Sequence, residues 1–128
     1  MIDITIPMVP PSLNTILRMH HGAYRDLRRK MAKEVHWALL EARHMQPIPL
    51  PFAKITLTCH RARLLDADNN IGSLKPMLDV LRPVSKSNPN GLGLIEDDDA
   101  SHCVVTYQQA KAKRGQECTV IVIERGDA

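Results

Sequence analysis

Residues 2–7 read Ile2-Asp3-Ile4-Thr5-Ile6-Pro7, apolar and polar in strict alternation, the pattern of a half-buried strand. Pro7, Pro10, Pro11, Ser12 and Asn14 end it in a rigid loop. From about residue 23 to 45 the apolar positions are Tyr24, Leu27, Met31, Val35, Ala38, Ala42 and Met45. Their steps of three and four predict one long amphipathic helix, stopped by Gln46 and the prolines at 47, 49 and 51. Strand patterns return at 53–61, 102–110 and 117–124, and Lys111 to Gln116, with Gly115, reads as a hairpin turn between the last two. Ile71, Leu74, Leu78 and Leu81 are spaced for one face of a short helix, with Ser73 as its N-cap and Pro76 tolerated in the first turn. A Pro/Ser/Asn/Gly loop follows at 83–93. The order β, long α, β, short α, β, β predicts an α+β domain: a small mixed sheet with one long and one short helix packed on it.

Composition narrows the function classes. A chain of 128 residues makes one domain, 1–128. Aromatics are 3%, namely Tyr24, Trp37, Phe52 and Tyr107, too few for a surface that stacks a long run of bases. No apolar run is long enough for a membrane span, and the N-terminus lacks the basic start and apolar core of a signal peptide. The odd, low cysteine count (Cys59, Cys103, Cys118) fits a reducing cytoplasm without a disulfide framework. Cys59-His60 and His102-Cys103 suggest zinc, but both pairs fall in strands, where neighbouring side chains point to opposite faces. Neither pair can give both members to one ion, so the cysteines read as buried structural residues.

Charge is split along the chain. Residues 1–64 hold ten Lys/Arg against four Asp/Glu, and residues 65–128 hold seven against ten. Arg25, Arg29 and Lys33 stack at i, i+4 spacing, a row of like charges that costs stability unless something anionic meets it. Seven of the fourteen carboxylates lie between 66 and 99. In Asp66-Ala67-Asp68-Asn69, an extended backbone would point both carboxylates one way, as a hard divalent cation requires. Glu96-Asp97-Asp98-Asp99 can add a third carboxylate from across the sheet, and Lys75 lies about two helical turns beyond Asp68. Singly, each feature has a bland reading: a turn or N-cap, a solvated acidic loop, a surface lysine. His20-His21 reads as loop decoration, and Trp37 as a subunit contact or sheet-edge cover. Together, carboxylates, lysine and a basic surface suit a metal-dependent reaction on a phosphodiester.

The chain resembles the RusA family of Holliday junction resolvases. Three blocks carry the likeness: Ile6-Pro7 through Pro10-Pro11-Ser12 to Asn14; Arg61 and Arg63 leading into Asp66-Ala67-Asp68-Asn69; and Gly93-Leu94-Ile95-Glu96-Asp97-Asp98. They occur in order across residues 4–124. The resemblance implies a RusA-like homodimer that binds four-way DNA junctions and makes paired, symmetric nicks with Mg2+, Mn2+ also serving. It implies no membrane partner and no organic cofactor. It places catalytic and metal-binding carboxylates on Asp66, Asp68 and Asp98, with Asp97 and Asp99 as substitutes, and the catalytic lysine on Lys75. Lys75 follows the second aspartate by seven residues where the family has four, so residues 70–72 read as an insertion that Gly72 can loop out. Arg61, Arg63, Asn69 and Asn14 would contact DNA near the metal, and Arg25, Arg28, Arg29 and Lys33 of the long helix would either extend that surface or face solvent. The alternative is a dimeric DNA-structure-binding protein of the same fold that cuts poorly or not at all. A hydrolase of small phosphoesters is disfavoured by the basic strip and the lack of a Gly-rich phosphate loop.

Overall fold

A computed structural model describes residues 1–44 and 49–126. Met45, Gln46 and Pro47, assigned above to the end of the long helix, lie outside the described residues. Four strands form where alternation predicts them: β1 (Ile2–Ile6), β2 (Ala53–Arg61), β3 (Cys103–Lys111) and β4 (Cys118–Arg125). They make a mixed sheet in the order β1-β4-β2-β3, antiparallel except for the parallel pair β2 and β3. Expectation and structure part at the hairpin. β3 and β4 are not neighbours, because β2 lies between them and pairs with both. The 112–117 connection instead steps across the end of β2, where the Ala112 N–H donates to the Arg61 carbonyl at 2.8 Å. β2 carries Ala53, Ile55, Leu57 and Cys59 on its inward face, and strands on both sides of it satisfy its backbone ladder.

The helices are one long and three short, not one of each. Ser12 caps α1 (Leu13–Leu17) by accepting the Thr15 N–H, so Asn14 lies in a helix rather than a loop. α2 (His21–Glu41) buries Met31, Ala32, Val35 and Leu39. The stretch expected to be one short helix is two, α3 (Ala67–Ser73) and α4 (Lys75–Leu81), meeting at Leu74. Pro76 sits in the first turn of α4, where its missing N–H costs nothing, but the N-cap is Leu74 rather than Ser73. Residues 70–72 are helical and are not looped out. Leu74, Leu78 and Leu81 are buried, whereas Ile71 is exposed.

Inward residues of β1, β2 and β4 pack with Met31, Val35 and Leu39 of α2 and Met77, Leu78 and Leu81 of α4 in one core. On the other face β2 and β4 show half-buried Thr56, Thr58, Val120 and Val122, and Val104 of β3 is exposed. Cys59 and Cys103 are buried and Cys118 half-buried, all as free thiols. No described helix is long and apolar enough to cross a membrane.

Candidate functional site

Two connections organise the acidic residues. Leu50 pairs with Ile95 through Leu50 N–H to Leu94 O and Glu96 N–H to Leu50 O, fixing the second acidic segment beside the start of β2 and β3. The first acidic segment leaves the far end of β2. There the Gln109 side chain of β3 holds Leu65 at both its N–H (2.9 Å) and its carbonyl (2.7 Å). Gln109 and Cys103 are six residues apart on one strand, a rise of about 20 Å. The two segments therefore approach from opposite ends of β3.

Asp66 has extended backbone but is the N-cap of α3, so the extended run stops there and Asp68 is helical. The Asp66 carboxylate accepts the Asn69 N–H at 2.9 Å and the Asn69 amide at 2.8 Å, and these bonds hold it below the usual carboxylate range. Asp68 is exposed in the first turn of α3. Residues two apart on a helix do not share a face, so the predicted side-by-side carboxylates do not arise. The ligand atoms of Asp66, Asp68 and Asp98 do not gather within 4.8 Å of one another.

Lys75 and Asp98, expected to work together, do meet. The Lys75 ammonium pairs with the Asp98 carboxylate and lies 3.6 Å from Asp79 Oδ1. Placing a first-turn lysine of α4 over the acidic segment requires the break at Leu74, which re-aims the chain after α3. Arg82, at the other end of α4, adds a second cation, 3.5 Å from Asp79 Oδ1 and 3.8 Å from Asp98 Oδ1. Its Nε is 3.1 Å from Asp97 Oδ1 but off the N–H axis, an ionic contact rather than a directed hydrogen bond. The Asp98 side chain is 15% exposed. Burial pushes its carboxyl up, but the hydrogen bond and charge of Lys75 outweigh this and hold it below the usual range. Burial likewise pulls Lys75 down, and the bond to Asp98 with the charge of Asp79 raises it overall. Tyr107 faces this pair from β3, its phenol pushed up by burial.

Beside the pair, Asp97, Asp99 and His102 bring one ligand atom each within 4.8 Å of the others, a group that can hold a metal ion. His102 Nδ1 bonds Asp99 Oδ1 at 2.5 Å, which raises the imidazole and lowers the carboxylate. Reading His102 with Cys103 concealed this partnership. The cue was the Asp99-Ala100-Ser101-His102 spacing, a tight turn that folds the ring back onto the carboxylate.

Among the residues expected to touch DNA, Arg61 is the clear correction. It is 4% exposed, because it continues the inward register of Ala53, Ile55, Leu57 and Cys59. Its guanidinium donates to Pro10 O at 2.7 Å and Ser73 Oγ at 2.9 Å and lies 3.6 Å from Cys59 Sγ. It ties the proline loop and α3 to β2 instead of meeting a phosphate. Arg63 is exposed. Asn69 is occupied in the Asp66 cap, and Asn14 lines a shallow hollow with Leu17 and Arg18. Arg25, Arg29 and Lys33 are all exposed on α2, with Arg29 3.7 Å from Asp26. Asn88, which the sequence did not single out, is 4% exposed and donates to Asp79 O and Pro83 O, bracing the 83–93 loop against α4. Gly91 lets that loop close: a Cβ there would lie 2.5 Å from the carbonyls of Arg82 and Pro83. No family model and no curated protein matches the chain.

Proposed function

We propose that this protein is a divalent-metal-dependent endodeoxyribonuclease that acts on branched DNA, four-way junctions in particular, as a homodimer. The observation that carries the reading is the pairing of Lys75 with Asp98 beside the Asp97, Asp99 and His102 group. A cation donor and a ligand cluster stand side by side, as phosphodiester hydrolysis demands. The donor set fits the group it would hold: two carboxylates suit Mg2+ or Mn2+, and the imidazole favours Mn2+ of the two. When bound, a divalent ion supplies Lewis acidity toward a phosphate oxygen.

The chain's own residues do the rest. Lys75 and Arg82 hold the Asp98 carboxyl below its usual range, so it is ionised at neutral pH, and Arg82 Nε stands 3.1 Å from Asp97 Oδ1. Lys75, whose side chain is more than half exposed, neutralises negative charge building on the phosphate. Asp66 and Asp68 stand at the head of α3 as further carboxylates on the path of the strand. Arg63 and the α2 row hold backbone phosphates. Two-fold symmetry of a dimer would match that of a junction and give two equivalent cuts.

One observation favours a second reading, a dimeric binder of DNA structure that does not cut: Asp66 is engaged by its cap and does not join Asp98. A single experiment separates the two. Labelled four-way junction and linear duplex of equal length are incubated with protein in Mg2+, Mn2+ or EDTA, alongside Asp98→Asn. The nuclease reading expects paired, metal-dependent nicks in the junction only, lost in Asp98→Asn while retention on a gel persists. Junction retained but uncut under every condition establishes the binder. Cutting by Asp98→Asn at the wild-type rate removes this site from the chemistry.

A further inference from the structure

We propose that the N-terminal end of α2, apart from the acidic cluster, carries a site for a nucleoside phosphate; it deepens the reading of the α2 row as a phosphate-binding surface, and rests on it, by placing one phosphate on Arg25 and Arg28 and its base in an apolar hollow across Tyr24. The polar half is a cleft of about 250 Å3 between α2 and the 83–93 loop, lined by His21, Tyr24, Arg25, Arg28, Pro89 and Asn90. The apolar half is a hollow of about 330 Å3 lined by Ile16, Leu17, Met19, His21 and Tyr24. His21 and Tyr24 belong to both, so the halves are continuous across the Tyr24 ring.

Three features mark the cleft as built for an anion. Among the described residues neither Arg25 nor Arg28 has a carboxylate within 4.0 Å, unlike Arg29, Lys75 and Arg82. Arg28 is held in advance: its Nη2 donates to Asn88 Oδ1 at 3.3 Å and its guanidinium lies 5.7 Å from the Tyr24 ring centre. Asn88 is itself anchored on Asp79 O and Pro83 O, so the remaining guanidinium donors are presented at little ordering cost. No acidic side chain stands in the first turn of α2, so no carboxylate from the start of this 21-residue helix, which His20 caps through the Gly22 N–H, competes with an anion for the cleft.

The hollow supplies the second half of the recognition. Leu17 is 72% exposed, and Ile16 and Met19 are half-buried next to it, an apolar wall that the core does not use. An inorganic anion would leave that wall wet, and an apolar ligand would leave two arginines uncovered. A phosphate joined to a flat heterocycle satisfies both, the base meeting the side of Tyr24 that lines the hollow while Arg28 lies over the ring from the cleft. The chemistry is the same for a free nucleotide and for one nucleotide of an unpaired DNA strand.

The site needs no metal, so it is tested in EDTA, independently of the acidic cluster and of whether the protein cuts DNA. Anisotropy of a labelled ten-nucleotide single strand is measured against salt for wild type, Arg25→Gln, Leu17→Ser and the distant Arg125→Gln, with dAMP and inorganic phosphate as competitors. Both test positions are exposed, so neither variant threatens the fold. Arg25→Gln should weaken binding about tenfold and reduce the salt slope by about 0.7. Leu17→Ser should weaken it about threefold with the slope unchanged. If dAMP competes and is weakened by the same two variants, the source is a free nucleotide; if only the strand is affected, it is DNA. Wild-type affinity in both variants, equal loss in Arg125→Gln, or competition by phosphate as strong as by dAMP overturns the proposal.

Discussion

Gly72 offers a sharp test of how α1 is seated. A Cβ built on it would lie 2.6 Å from Leu13 Cδ2 and 2.9 Å from both Cδ1 and Cγ, well inside contact distance. Overpacking of this kind costs about 1–3 kcal/mol. Replacing glycine by alanine in a helix recovers up to about 1 kcal/mol, and Gly72 already has helical backbone. Gly72→Ala should therefore destabilise the protein by on the order of 1 kcal/mol, a fall of roughly 3–6 °C in Tm for a domain of this size. The sign should reverse in a Leu13→Ala background, where all three clashing atoms are gone. There the same substitution should stabilise by up to about 1 kcal/mol, giving a coupling of about 1–3 kcal/mol. Urea unfolding followed by far-UV circular dichroism measures this as a shift in midpoint at constant slope. Additive effects of the two substitutions would refute the α1–α3 contact. With it would go the account of how the Ser12–Asn14 turn is held against the helix that Asp66 caps.

Asp98 is held below its ordinary range in the folded state, so its contribution to stability is complete above that range and is lost as pH falls through it. Between about pH 6 and pH 3, in EDTA, the urea midpoint of Asp98→Asn should fall less than that of wild type. Lys75 is raised, so its contribution is present below the ordinary lysine value and lost as pH rises past it; Lys75→Met should flatten the alkaline limb. Parallel wild-type and variant profiles would contradict the pairing. Arg61→Lys keeps the buried charge but loses the fork that reaches Pro10 O and Ser73 Oγ together. It should cost about 2–3 kcal/mol in chemical denaturation, and a loss under about 0.5 kcal/mol would show that the fork is not what binds the proline loop to α3.

Much of the site was legible locally. Lys75 and Asp98 could be assigned to one phosphodiester site, Lys75 as its lysine on the side of Asp68 and Asp98 as a third carboxylate, but their direct pairing was not legible. Arg61 could not be read correctly, because an arginine closing a strand looks the same whether it continues the inward register or turns to solvent. Asp66 and Asp68 were misplaced by one assumption, that the backbone stays extended through both; Asp66 instead caps a helix that begins at Ala67. Gln109 and Asn88 gave no local signal beyond their chemical type, since their partners lie 44 residues away and on the neighbouring α4; His102 had one, its spacing from Asp99, which reading it with Cys103 concealed.

Periodicity along the chain determined four strands, a long helix with Met31 and Val35 on its buried side, the half-buried alternation of β1, and the α+β class, because alternation and helical spacing are set by backbone geometry within a few residues. Which strand neighbours which was decided only in three dimensions. Placing β2 between β3 and β4 is a comparison of burial and pairing across about 50 residues, and no window of sequence contains it. The same long-range choice put the two acidic segments at opposite ends of β3 and left Lys75, on the helix between them, to reach Asp98.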